Sequence, residues 1–152
     1  MRQARLLPLV LGVLLTACGK DGVPRPWPQA PAVALDLKMH VAAGDGGDGE
    51  HVELLQPVTV TLDLFRRRDL EVEFAPTVDA ADFLATTAVQ PEVELGSGRW
   101  QRTVLTLRPL RGPGELEIPA FVAKATDGTV EVRTEAHRLV VASVLAGHGG
   151  EL

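Results

Sequence analysis

The clearest strand pattern in this 152-residue sequence is Val58-Thr59-Val60-Thr61-Leu62-Asp63-Leu64. Aliphatic side chains occupy every second position, and threonine or aspartate lies between them. Successive side chains of a β-strand point to opposite faces, so a period of two is typical of a strand with one buried and one polar face. The stretch therefore predicts a strand that covers a hydrophobic core.

The same alternation recurs along most of the chain. It appears at residues 33–41, 70–74, 93–95, 102–108, 115–118, 130–133 and 138–142. Turn signals separate these runs, for example Gly96-Ser97-Gly98, Gly112-Pro113-Gly114 and Asp127-Gly128. Short strands at this spacing predict an all-β fold, an antiparallel immunoglobulin-like β-sandwich of about 7–9 strands. The run 80–88 lacks the alternation, and we expect a short helical turn there, crossing between the sheets.

The chain divides into four parts. Residues 1–17 are predicted to be a signal peptide and residues 18–32 a proline-rich linker. Residues 33–143 form the predicted sandwich domain, and residues 144–152 a flexible tail. Four prolines between residues 24 and 31 fix the backbone and remove amide donors, which predicts an extended tether. Trp27 lies inside this tether, where we expect incidental packing or contact with a membrane surface.

The N-terminus has the features of an export signal. Arg2 and Arg5 precede an apolar run over residues 6–15. As a helix this run is roughly 15 Å long, about half of the ~30 Å hydrocarbon thickness of a bilayer. A signal-peptide core is therefore favoured over a permanent membrane span.

The string Leu15-Thr16-Ala17-Cys18-Gly19 resembles the lipobox of bacterial lipoproteins. The resemblance implies cleavage after Ala17 and attachment of lipid to the thiol of Cys18. It also accounts for the presence of a single cysteine in the chain. Two alternatives stay open, namely an ordinary secretory signal with an incidental cysteine and an uncleaved anchor.

The lipobox resemblance implies a location as well. A multiply acylated cysteine anchors firmly, since each buried methylene contributes about 0.8 kcal/mol. We expect the protein in the bacterial cell envelope, held by lipid and facing the periplasm. Gly19 stands where an aspartate would favour retention in the inner membrane, so the outer membrane is favoured.

Composition excludes several classes of function. The net charge is −5; without residues 1–17, 13 basic and 20 acidic residues would remain, a net charge of −7. A negative domain disfavours a nucleic-acid partner. A single cysteine excludes an intrachain disulfide and a cysteine-cluster metal site. Ser97 and Ser143 are the only serines, and neither lies in a nucleophile elbow. We therefore predict no enzyme activity and no cofactor.

The basic cluster Arg66-Arg67-Arg68 is the first candidate binding feature. It can be a solvated turn between strands, or a docking patch for an acidic protein partner or anionic lipid headgroups.

The second candidate is the acidic loop that contains Asp45, Asp48, Glu50 and His51. Its carboxylates could offer oxygen ligands to Ca²⁺, although EF-hand spacing is absent. Residues 44–49 also match G-x-G-x-x-G, but two aspartates would repel a phosphate and a strand pattern follows in place of a helix. His40 and His51 flank one predicted hairpin and could approach each other around zinc. The alternative function is therefore a periplasmic lipoprotein that binds a metal or a small ligand.

A family resemblance covers the second half of the sequence. A strand ending near a proline, a glycine turn and a strand ending in Ile-Pro resemble repeats of the BatD, or oxygen-tolerance, family of bacterial envelope proteins. The matching residues are Leu105, Leu107, Pro109, Gly114, Leu116, Ile118 and Pro119. The resemblance implies an immunoglobulin-like module that binds protein beside membrane-bound von Willebrand factor A-type proteins and MoxR-type ATPases. It implies no catalytic residues.

Overall fold

The computed structural model describes residues 23–43 and 50–142. The predictions for residues 1–17, Cys18, Asp45, Asp48 and the tail 144–152 lie outside the described residues.

The described residues form eleven strands and no helix. The strands are β1 (Leu35–Ala43), β2 (His51–Glu53), β3 (Val58–Arg67), β4 (Val72–Glu73), β5 (Phe83–Val89), β6 (Val93–Leu95), β7 (Gly98–Pro109), β8 (Gly114–Ile118), β9 (Val122–Ala125), β10 (Glu131–Arg133) and β11 (His137–Ala142). The predicted all-β class is confirmed.

The stretch at 58–64 lies in the centre of the first sheet. Its strand β3 pairs antiparallel with β1 on one side and with β7 on the other. β5 and β6 follow one another along the far edge of β7. Val58, Val60 and Leu62 are completely buried, as the alternation predicts, because they point from this sheet into the core.

The second layer is built on one long hairpin. β8 pairs with β11, and β9 pairs with β10. The two pairings share one register. The ladder is interrupted between β8 and β9, where Pro119 lies. At the interruption the Phe121 amide donates instead to the Thr134 hydroxyl, at 2.8 Å, and the Thr134 amide donates to the Phe121 carbonyl, at 2.9 Å.

The two layers enclose one core and have immunoglobulin-like topology. Leu107 of the first sheet and Ile118 and Leu139 of the second are fully buried in the same apolar cluster. The order β1-β3-β7-β5 in the first sheet corresponds to A-B-E-D of the immunoglobulin fold, and β4, the β8–β9 strand and the β10–β11 strand correspond to C-F-G. Counting each interrupted pair (β5–β6, β8–β9, β10–β11) as one strand reduces eleven to eight, within the predicted range.

The helical turn expected at 80–88 is wrong for residues 83–88 and right only at the start of the run, where the Asp82 and Phe83 amides both donate to the Asp79 carbonyl, at 3.1 and 3.0 Å. Phe83–Val89 is strand β5, paired with β7 through seven residues. Only Phe83 is buried in this strand, so the sequence shows no alternation that would reveal it. Pairing with a long neighbouring strand outweighs the weak helical preference of the alanines. Between β5 and β6 the register slips by one residue at Pro91, which is a β-bulge on an edge strand.

The hairpin expected to join His40 and His51 is also wrong. β1 carries His40 and pairs with β3, whereas β2 carries His51 and pairs in parallel with β11. The two histidines therefore belong to strands of different sheets.

Candidate functional site

The proline-rich segment from Val23 to Ala30, which is part of the linker predicted for residues 18–32, is packed onto the domain. We call residues 23–30 the clasp. It lies on the outer face of the first sheet, the face that points away from the main core and carries Phe65 and Trp100. Trp27 is only 6% exposed, so its side chain is part of the folded structure.

Trp27 is the centre of a second small apolar cluster. Its ring centroid lies 5.9 Å from that of Phe65 and 6.3 Å from that of Trp100. These separations and the tilted ring planes are the geometry that aromatic side chains prefer. The indole Nε1 donates to Asp36 Oδ2 at 2.9 Å. The polar edge of Trp27 is thus satisfied while its ring is removed from water.

The first sheet holds the clasp mainly through backbone carbonyls. Arg102 Nη1 donates to the Val23 carbonyl at 2.9 Å, and Nη2 donates to the Pro24 carbonyl at 3.0 Å. Lys38 Nζ donates to the Pro26 carbonyl at 2.9 Å. Prolines restrict the segment before it docks and leave carbonyls as its main polar groups, and cationic side chains satisfy carbonyls well.

Glycines make room for this arrangement at the turn before β7. A Cβ on Gly98 would lie 2.4 Å from the Phe65 ring, and one on Gly96 would lie 2.7 Å from the Ala30 Cβ. Gly96 also has φ +56°, in the left-handed region that favours glycine. The turn predicted from Gly96-Ser97-Gly98 therefore also admits the clasp and the Phe65 ring.

The basic cluster Arg66-Arg67-Arg68 lies at the end of β3 and in the turn that follows. All three arginines are paired with carboxylates of the same chain. Arg66 contacts Glu92 at 3.0 Å, Arg67 contacts Asp69 at 2.8 Å, and Arg68 contacts Glu94. The hydrogen bond from Arg67 is the main reason that the pKa of Asp69 is lowered.

Arg99 extends these pairs into a network, because it contacts Glu92 and Glu94 at 3.4 and 3.0 Å. Acidic groups interleaved with the arginines leave little net positive charge on this surface. Glu92 and Glu94 belong to the bulged edge strand and are distant from the arginines in the sequence. The residues next to Arg66-Arg67-Arg68 therefore gave no sign that the charge of the cluster would be neutralised.

Strand β5 borders a groove that the sequence did not predict. The groove has a volume of about 350 Å³. It is lined by Thr87 and Val89 of β5, by Leu64 and Thr103 of the neighbouring strands, and by Val72, Phe74, Ala75 and Pro76. Apolar and uncharged polar side chains both line the groove, and its charged lining residues are the paired Arg66 and Glu92.

Glu50 and His51, two of the four weak metal candidates, lie beside a hollow of about 420 Å³ that His137 and Arg138 also line. Among residues 23–43 and 50–142, no three side chains of His, Cys, Asp or Glu are grouped so that they could hold a metal ion. Asp45 and Asp48 lie outside these ranges, so their relation to Glu50 and His51 is not described.

No protein-family model matches the chain, and no curated protein matches it. Within the described ranges, no helix has the length and apolar character needed to cross a membrane. The clasp, the arginine–glutamate network and the β5 edge are therefore the features from which a function can be inferred.

Proposed function

We propose that the chain is a bacterial lipoprotein, anchored through Cys18, whose immunoglobulin-like domain faces the periplasm and acts by binding another protein. The observation that carries the binding function is the edge strand β5, which among the described residues pairs only with β7. Val89, which lines the groove, is 60% exposed, and Leu84, on the opposite face of the strand, is 55% exposed. Apolar side chains beside a groove on a sheet edge are typical of a protein-binding surface.

The clasp supports a role for Cys18 in positioning the domain. Cys18 and Val23 are five positions apart, and five residues span at most about 18 Å. Because Val23 and Pro24 are bonded to Arg102, a lipid on Cys18 would hold the domain close to the membrane. An extended tether over all of residues 18–32 would hold the domain farther from the membrane.

The resemblance of residues 105–119 to BatD repeats supports the class of partner. We propose membrane-associated proteins of the von Willebrand factor A type, or proteins associated with MoxR-type ATPases. Cross-linking in intact membranes, followed by identification of the attached protein, tests this proposal. Cross-links only to unrelated abundant proteins would contradict it.

The anchor is tested by Cys18→Ser in the full chain, with Thr16→Ser as a matched control that keeps the cysteine. We expect Cys18→Ser to abolish labelling by radioactive palmitate and to release the protein from membranes or leave it unprocessed. The control should remain labelled and membrane-bound. Unchanged labelling and fractionation of Cys18→Ser would contradict lipidation at this residue.

A further inference from the structure

The hydrogen-bonding direction of β5 can be read from its two ends. The Gln90 amide donates to the Arg102 carbonyl at 2.9 Å, and the Leu110 amide donates to the Asp82 carbonyl at 2.8 Å. Both bonds belong to the register that pairs β5 with β7. In an antiparallel ladder these groups alternate in direction along the strand. The backbone groups of residues 84, 86 and 88 therefore point toward β7, and those of Ala85, Thr87 and Val89 point away from it.

The outward-pointing groups have no strand beside them among the described residues, where β5 pairs only with β7. Residues 84–89 contain no charge and no proline. Natural edge strands are usually protected by lysines, prolines, bulges or an inward-pointing charge, and on this edge such a feature is present only beyond β5, at the Pro91 bulge. The amides and carbonyls of Ala85, Thr87 and Val89 thus have the spacing that a second extended backbone needs to form hydrogen bonds with β5.

The groove gives this edge its specificity. Thr87 and Val89 point their side chains into the groove, which Val72, Phe74 and Pro76 also line. A strand added beside β5 would direct every second side chain toward the same side. Arg66 and Glu92 neutralise each other at one end of the groove, so the groove complements uncharged side chains and would disfavour an unpaired charge.

We propose that β5 binds an extended, uncharged peptide segment of a partner protein by strand addition, with apolar side chains at alternate positions over the groove. The inference rests on the proposed protein-binding function and assigns its surface and its mode of recognition. A second copy of this chain is the less suitable occupant. A two-fold pairing of β5 with itself would direct only Ala85, Thr87 and Val89 of the copy toward the groove, and these are small beside a groove of about 350 Å³.

The test uses the full chain in detergent and the variant Thr87→Pro. Proline removes the outward-pointing amide of residue 87 and leaves the bonds to β7 in place. Thr87→Val is the matched control, because it keeps both the amide and the shape of the side chain. Val89→Lys is a second variant that instead introduces a charge at the groove. Circular dichroism and the urea midpoint establish that each variant is folded.

The probe is a panel of fluorescent, capped peptides as long as β5, with Val, Leu, Ile or Phe at alternate positions and Thr between them. We expect saturable binding by wild type and Thr87→Val, weakened about tenfold or more, roughly 1.4 kcal/mol, by Thr87→Pro and by Val89→Lys. Bound peptide should slow hydrogen exchange at the amides of Ala85, Thr87 and Val89. The amides of residues 84, 86 and 88, already bonded to β7, should change little.

Three outcomes would overturn the proposal. One is the absence of binding by every peptide at about 1 mM, and another is binding that neither variant weakens. The third is a wild-type dimer that Thr87→Pro dissociates without any peptide binding, which would make a second copy the occupant. None of these measurements depends on lipid, so failure here and failure of the anchor at Cys18 are distinguishable.

Discussion

Arg102 and Asp63 form a two-bond ion pair on the outer face of the first sheet. Arg102 Nε donates to Asp63 Oδ1 at 2.8 Å, and Nη2 donates to Oδ2 at 3.1 Å. Both side chains are 4% exposed, and the two residues lie directly opposite each other on β7 and β3. The same guanidinium bonds the Val23 and Pro24 carbonyls, so one arginine joins the central strands to the N-terminal clasp.

Asp63→Ala should destabilise the domain strongly. The change leaves the Arg102 guanidinium buried without its counter-charge, and breaking a buried pair in this way costs about 3–5 kcal/mol. Urea denaturation followed by circular dichroism measures the loss. Asp63→Ala combined with Arg102→Met should recover part of it, since no charge is then left unpaired. A single variant as stable as wild type would contradict the importance of the pair.

Trp27→Ala should show whether the clasp belongs to the folded domain. Removing a buried tryptophan typically costs about 3–5 kcal/mol. If residues 23–30 did not pack on the domain, the same change would leave the free energy of unfolding unaltered. Pro28→Ala, at an exposed neighbouring position, is the control. The urea midpoint and the rate of proteolysis within residues 23–30 are the measurements, and equal values for both variants would refute the docking of Trp27.

Gly98→Ala should disturb the aromatic cluster. The new Cβ would lie 2.4 Å from the Phe65 ring and 2.5 Å from the Arg66 carbonyl. Overpacking of this kind costs about 1–3 kcal/mol. Ser97→Ala changes the exposed neighbour and should be nearly neutral. Thermal unfolding of the two variants tests this expectation, which fails if their midpoints coincide.

The arginines of the basic cluster should contribute unequally to stability. Arg66 has a side chain 22% exposed and also donates to the Leu70 carbonyl at 3.2 Å. We expect Arg66→Ala to cost about 1 kcal/mol. Arg68 is 55% exposed, so Arg68→Ala should cost less than about 0.5 kcal/mol. Chemical denaturation at low and high salt measures the loss of stability in each variant. An equal loss in the two variants, or a larger loss in Arg68→Ala, would contradict the contacts described for Arg66.

The main core could be predicted because its residues alternate locally. A strand with one buried face is predicted by the spacing of Val58, Val60, Leu62 and Leu64, and turns such as Asp127-Gly128 separate the strands. The edge strand β5 carries no such signal. Four of its six residues after Phe83 are alanine or threonine, and all six are exposed, so only pairing with the distant β7 establishes it as a strand.

The clasp could not be predicted for a similar reason. Four closely spaced prolines are typical of a linker, and the partners of the segment lie between 9 and 79 residues away along the chain. One signal was present in the sequence. Phe65 and Trp100 occupy positions that alternation assigns to the polar face, and two large aromatic rings there require a cover.

The proposed anchoring through a lipid on Cys18 determines where the domain is held, and the mass of the N-terminal peptide shows whether the lipid is present. The full chain is expressed in a bacterial host, extracted from membranes with detergent, digested with trypsin and analysed by mass spectrometry. We predict that the N-terminal peptide begins at Cys18 and is heavier than its sequence by the mass of an attached lipid. A peptide that begins at Met1, or an unmodified Cys18 in the membrane-extracted protein, would contradict anchoring at Cys18.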